Sequence, residues 1–271
     1  MNRNAAVAAL LLGFSLIAPS AVFADTSIQV SGSTALLPLV KDAAGMYQDQ
    51  HKDVKISVTG GGSGTGINQV ASKAVDIGDS DILAKTHPEL VDHKVAVIAF
   101  AIVANPDTGV KNLTTAQIQD IFTGKTTNWK DVGGKDEKVV VVNRPRSSGT
   151  RAVFLATMMG GKDLTESGLT EDATGTVVTT VKSTPGAVSY AAESGVRGGG
   201  LTIVSIDGVA LTEPNVTSGK YKVWSYEHMF TNGKASQPIE DFIKFVAGQT
   251  DLVHKTGYIL VKDMKVSETD R

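Results

Sequence analysis

Arg144-Pro145-Arg146-Ser147-Ser148-Gly149-Thr150-Arg151 is the stretch on which the reading of this chain turns. Val139-Val140-Val141-Val142 precedes it, a β-branched apolar run of the kind that forms a buried strand. Ala152-Val153-Phe154-Leu155-Ala156-Thr157-Met158-Met159 follows, apolar on most sides and too long for a second strand. A loop of hydroxyls and cations therefore joins a strand to a helix. The first N–H groups of a helix have no partner within it, and the dipole there favours negative charge. With the Ser148 and Thr150 hydroxyls and the Arg144 guanidinium added, the guest that fits is an oxyanion. Taken alone, the stretch reads equally well as a capped helix with solvated arginines.

The same device occurs twice upstream. Ser27-Ile28-Gln29-Val30 alternates as a strand and Ser31-Gly32-Ser33-Thr34 breaks it. Leu36, Leu39, Val40, Ala43, Met46 and Tyr47 then recur at helical spacing, with Pro38 near the first turn, where proline is tolerated. Ser33 or Thr34 reads as the cap. Val54-Lys55-Ile56-Ser57-Val58 is a second strand, followed by Gly60-Gly61-Gly62-Ser63-Gly64-Thr65-Gly66 and a short amphipathic helix marked by Ile67, Val70, Ala71 and Ala74. Glycines between strand and helix read as a turn that lets backbone N–H groups approach a ligand closely. No lysine follows them, so the Walker pattern fails. Val75-Asp76-Ile77-Gly78-Asp79-Ser80-Asp81 lacks the glycine and glutamate of a calcium loop and reads as a solvated acidic turn.

Val95 to Ala104 is nearly all apolar, as expected of a central strand buried on both faces. Thr114-Thr115 caps a helix carrying Ile118, Ile121 and Phe122, and Gly124 closes it. Pro185 to Ala192 reads as a short helix and Leu201 to Ile206 as a strand. Pro238 starts a last helix with Ile239, Phe242, Ile243, Phe245 and Val246 on its buried side. Strands alternating with helices indicate an α/β architecture.

A length of 271 residues allows one large domain or two lobes, and 41% hydrophobic with 20% charged residues suits a folded chain. The net charge of −2 offers no field for nucleic acid or anionic membrane, so an anion would be held by local geometry. Arg3, the apolar run Ala5 to Ala18 and Val22-Phe23-Ala24 form a secretory leader over residues 1–24, with Pro19 ending a core too short to span a bilayer. With no cysteine there is no disulfide framework and no lipid attachment site. A periplasmic protein is expected.

Ser31-Gly32-Ser33-Thr34, the Gly62-Ser63-Gly64 run, Asp76-Ile77-Gly78 through Ser80-Asp81, and Arg144 through Ser148-Gly149-Thr150 resemble, in order and spacing, the phosphate-specific substrate-binding proteins of ABC phosphate importers. The resemblance runs from about Ser27 to the C-terminal helix. It implies an α/β, two-lobed, type II-like binding-protein fold, with Ala101 to Pro106 and Val223 to Phe230 as crossings. Residues 25–103 with 226–271 would form one lobe and 104–225 the other. It also implies that Thr34, Ser63 and Asp81 face inorganic phosphate from the first lobe, with Ala35 offering a backbone N–H, and that Arg144, Ser148, Gly149 and Thr150 face it from the second. A permease in the inner membrane would be the partner, and the protein would act as a monomer without cofactor or metal. Ala35 stands where an aromatic is common in the family. Pro145-Arg146-Ser147 stands where some members place an acid, leaving Arg146 and Arg151 as alternatives to Arg144.

A carboxylate in an anion site repels its guest unless it accepts a proton from it. Phosphate near neutral pH keeps a proton and sulfate does not, so Asp81 would select phosphate. Nearby Asp76 and Asp79 would raise its pKa, and a protonated Asp81 would lose that selectivity. Binding of a sulfate-like oxyanion is one alternative. A secreted phosphate-ester hydrolase using Ser63 or Ser148 is another, but Thr65 and Thr150 spoil G-x-S-x-G, and no histidine lies near either serine in sequence. A site built around a ligand O–H rejects an analogue lacking it by about 10⁴–10⁵. Asp81→Asn is therefore predicted to let sulfate gain on phosphate in competition titrations, and unchanged discrimination would remove Asp81 from that role.

Overall fold

The structure, a computed structural model, describes residues 26–267, so the leader expected over residues 1–24 lies outside the described part. Two strand–helix units come first: β1 (Thr26–Gly32), α1 (Leu37–Gln50), β2 (Val54–Gly60) and α2 (Ser63–Ala71). A short β3 (Ile77–Ser80) and a long β4 (Leu90–Ala104) follow. The middle of the chain runs β5 (Asn112–Leu113), α3 (Thr115–Phe122), β6 (Val140–Asn143), α4 (Gly149–Phe154), β7 (Leu169–Thr170) and α5 (Thr174–Ser183). It continues through β8 (Ala187–Ala192), α6 (Glu193–Val196), β9 (Thr202–Ile206) and α7 (Glu213–Thr217). β10 (Trp224–Asn232), α8 (Gln237–Gly248) and α9 (Thr250–Lys255) complete it.

The strands lie in the order β2-β1-β3-β10-β4-β8-β6-β7, with β9 beside β4 and β5 beside β9. β1 is parallel to both β2 and β3, whereas β10 runs antiparallel to β3 and β4. β4 joins two sheets. Its first part pairs with β10, from Leu90 opposite Asn232 to Ala99 opposite Trp224. From Phe100 onward its partners are β8 and then β9. At the exchange point the Phe100 N–H donates to Val223 O at 2.8 Å. The Val95–Ala104 run is buried throughout, as a strand covered on both faces requires.

Each lobe has its own aromatic packing. On the first, Tyr47 of α1 meets Phe242 and Phe245 of α8 edge-on, with ring centroids 5.5 and 5.1 Å apart. On the second, Phe154 stacks on Tyr190 at 4.2 Å and meets Phe122 at 4.7 Å. Contacts of this kind add about 0.5–1.5 kcal/mol beyond the area they bury. The expected cap of α3 is present as a reciprocal pair between Thr114 and Gln117.

Three local expectations are corrected. Pro185 to Ala192 is not a helix: Ala187–Ala192 is the buried strand β8, parallel to β6 and antiparallel to β4. Buried on both faces, it shows no alternation, and its alanines mimic a helix former. The acidic run 75–81 is not a solvated turn, because β3 lies in the sheet between β1 and β10 with Asp79 and Asp81 each 1% exposed. The helix after Arg144 is interrupted: α4 ends at Phe154 and the chain widens into a π-helical turn over Leu155–Met159.

Candidate functional site

The hydroxyl-bearing turns lie past the carboxyl ends of strands, where open α/β sheets place their ligands. Ser33 to Leu36 follow β1, Gly61-Gly62 follow β2 and Asp81 follows β3 on one lobe; Arg144 to Ser148 follow β6 on the other. Six polar side chains from these turns, Ser33, Ser63, Asp81, Arg144, Ser148 and Thr150, are each at most 2% exposed. Segments up to 117 positions apart in sequence, Ser33 and Thr150, meet through one carboxylate.

That carboxylate is Asp81. Thr150 Oγ1 donates to Oδ2 at 2.9 Å across the cleft, and Ser33 Oγ bonds Oδ1 from the same lobe. The Asp81 N–H donates to Ser63 Oγ at 2.9 Å, and its carbonyl accepts from Ser225 Oγ at 2.7 Å. Burial pushes the Asp81 carboxyl up, while hydrogen bonds from Ser33 and Thr150, the Arg144 charge and Ser63 pull it down. Asp79 sits two residues before it, within β3, with both oxygens buried and without a hydrogen-bond partner. Burial first, then the Asp81 charge, push its carboxyl well above the usual carboxylate range.

Arg144 supplies the buried cation. Its Nη2 donates to Thr34 Oγ1 at 3.2 Å and to Asp172 O at 2.9 Å, while Nε and Nη1 are buried without a partner. Burial draws the guanidinium below its ordinary value, and the Asp81, Tyr190 and Asp172 charges oppose that. The two alternatives are elsewhere. The Arg146 side chain is 89% exposed, 4.0 Å from Glu166, and Arg151 Nη1 donates to the Arg144 carbonyl at 2.7 Å. Arg151 thus fastens the backbone that carries Arg144.

Further contacts close the cleft. The Gly64 N–H donates to Ser147 O at 2.9 Å, and the Thr174 N–H donates to Thr34 Oγ1 at 3.3 Å. A Cβ on Gly149 would lie 2.2 Å from Ser63 Oγ and 2.9 Å from Asp81 Cβ, so only glycine permits this approach. Ser148 Oγ accepts the Arg151 N–H at 3.2 Å as the cap of α4. Ala35 directs its N–H into its own turn, to Ser33 Oγ at 3.0 Å, and its carbonyl accepts from Tyr258 OH and from Ser194 Oγ.

Sequence reasoning missed Ser33 as more than a cap, and it missed Thr174 and the Asp172 carbonyl. The signal for Thr174 was present: Ala173-Thr174-Gly175-Thr176 is another small hydroxyl turn opening a helix. The β-branched residues of α5 hid that helix.

The profile of the PBP superfamily domain matches residues 19–250. The phosphate-binding protein PstS of Bacillus subtilis is 43% identical over 252 residues, covering 90% of this chain and 84% of that protein. The chain belongs to the PstS family of phosphate-binding proteins. Among solved structures, a Clostridium perfringens protein with bound phosphate superposes with a TM-score of 0.83 at 31% identity, covering 87% of this chain and all of that one. An ABC-type phosphate transport receptor from Vibrio cholerae gives a TM-score of 0.70 at 28% identity, with 87% of this chain covered. The expected two-lobed α/β fold is therefore that of the family.

In this PstS-family chain the partnerless Asp79 makes a measurable prediction. Its folded pKa is raised above the unfolded value, so its contribution favours folding at low pH and is lost as pH rises above about 4. Asp79→Asn should gain on the wild type as pH is raised from about 4 to 7, by up to about 1.4 kcal/mol per pH unit until Asp79 ionises. A difference in unfolding free energy that stays constant across this range would show that Asp79 ionises as readily in the folded chain as in the unfolded one.

Proposed function

We propose that the protein binds inorganic phosphate between its lobes, outside the cytoplasm, and delivers it to an ABC permease. The observation that carries this is the buried Arg144 guanidinium, with Nε and Nη1 unpartnered beside a carboxylate held by hydroxyls. A buried cation with free N–H groups calls for an anion, and an adjacent carboxylate calls for an anion that brings a proton. Hydrogen bonds to charged groups contribute about 1.5–3 kcal/mol each, so several support micromolar or tighter binding after ordering costs. The relatives' own names are those of phosphate-binding proteins, which favours the same guest.

Thr34, Ser63, Asp81, Arg144, Ser148, Gly149 and Thr150 form the binding set in this reading. The Ala35 N–H would join it only on leaving Ser33. Residues 25–103 with 226–271 form one lobe and 104–225 the other, hinged where β4 changes partners beside Val223. The segment read as a leader, residues 1–24, places the mature protein in the periplasm, where it works as a monomer without nucleic acid.

Binding is favoured over turnover by where the histidines sit. His87 contacts Glu89, His93 contacts Thr231 and His228 contacts Asp92, while Ser63 and Ser148 hold backbone N–H groups. This geometry disfavours sulfate, which brings no proton for Asp81 to accept.

Calorimetric titration of the mature protein should show phosphate and arsenate binding and sulfate not binding; sulfate bound as tightly as phosphate, or no binding of phosphate, would overturn the reading. Gly149→Ala should prop the cleft open through the contact with Ser63 and Asp81. A loss of about tenfold or more in phosphate affinity, roughly 1.4 kcal/mol, is expected with little change in thermal stability. Unchanged affinity would show that the lobes need not meet there.

A further inference from the structure

Ser33 lies in the turn after β1, 1% exposed, and the binding set above gives it no task. A serine hydroxyl has one proton and two lone pairs. The N–H groups of Ala35 and Leu36 donate to Oγ at 3.0 and 3.1 Å and take both lone pairs. What remains is the proton, and the acceptor against it is Asp81 Oδ1. Counting alone sets the direction: Ser33 donates and Oδ1 accepts. An oxygen accepting in this way is not the one that carries a proton. Thr150 Oγ1 donates to Oδ2 from the other lobe, so both oxygens of Asp81 face hydroxyl donors and the acceptor capacity left on them is what a ligand proton can meet.

We propose that Ser33 is a positioning residue that reserves Asp81 as a proton acceptor, so that the cleft selects an oxyanion bearing an acidic proton over one that is fully deprotonated. The proposal rests on the phosphate reading and deepens it. Without such a device the surroundings would tip the other way. Asp79 lies two residues before Asp81 in β3, Glu227 is buried on the neighbouring β10, and Tyr258 senses the Asp81 charge from the C-terminal segment. Burial favours a neutral carboxyl at Asp81. A neutral carboxyl would donate, and a fully deprotonated oxyanion would satisfy it. Against this stand Arg144 and the hydroxyls of Ser33, Thr150 and Ser63. Arg144 and Thr150 come from the far lobe and act only when the cleft is shut. Ser33 belongs to the same lobe as Asp81, and its direction is locked by backbone. It therefore sets the state of the carboxylate before the ligand is enclosed.

The test is calorimetric competition between phosphate and sulfate from pH 5 to pH 8 on the mature full chain. Wild type, Ser33→Ala and Ser33→Thr are compared. Ser33→Ala also frees the Ala35 and Leu36 N–H groups, which alters the affinity for both anions alike, so the affinity ratio and its pH dependence are the readout. In Ser33→Ala the phosphate-to-sulfate ratio is expected to fall by about tenfold or more, in keeping with what unpaired polar groups cost in discrimination. The pH below which sulfate begins to bind should move upward. Ser33→Thr, which keeps the hydroxyl, should restore both. Should Ser33→Ala fail to fold, Ser33→Cys, with its weaker donor, should show the same fall in smaller measure. A folded Ser33→Ala or Ser33→Cys with the wild-type ratio and pH profile overturns the proposal. Failure of the wild type to bind phosphate would instead overturn the reading beneath it.

Discussion

A guanidinium taken out of water has to find its hydrogen bonds inside the protein, and Arg144 finds only some of them. Its Nη2 is held by the Thr34 hydroxyl and the Asp172 carbonyl, while Nε and Nη1 are buried and unpaired. Leaving a buried charge incompletely paired costs several kcal/mol, on the order of 3–5 when a partner is removed. The rest of the site is arranged around this constraint. Tyr190 and Arg151 fix the backbone on either side of Arg144, and Thr34 meets its side chain from the opposite lobe. In the reading proposed above, an anion seated against the two open N–H groups would complete the arrangement and tie the lobes together.

The acidic side of the site follows the opposite logic. Two buried carboxyls, Asp79 near the end of β3 and Asp81 just past it, lie two positions apart, yet Asp81 and not Asp79 is provided with donors. Like charges this close cannot both ionise cheaply. Burial pushes both carboxyls up, but hydroxyls and the Arg144 charge pull Asp81 back down, whereas the Asp81 charge pushes Asp79 further up. An anion site can tolerate a carboxylate on these terms, because the guest supplies the proton that turns repulsion into a hydrogen bond.

Closure depends on backbone as much as on side chains. Gly149 lies where any Cβ would strike Ser63, and Gly64 donates its N–H to Ser147 across the cleft. The two parts of the sheet are joined by β4, which passes from β10 to β8 within a single peptide step.

The alternation of strands and helices, the long buried run of β4 and the three hydroxyl turns were legible in the chain itself. These are local signals: side-chain period, capping residues and glycine punctuation act over a few positions. The ordered set of Ser33-Thr34, Ser63, Asp81 and Arg144 to Thr150 also pointed to the family. Where buried environment overrides local pattern, reading failed. Asp79 and Asp81 looked solvated because acidic residues usually are, and β8 looked helical because a strand covered on both faces loses its alternation. Which arginine enters the cleft, which way the Ala35 N–H turns, and that Ser33 must donate to Asp81 were decided only in three dimensions. Each depends on atoms brought together from distant segments, and hydrogen-bond direction is settled by how many partners a group meets in space.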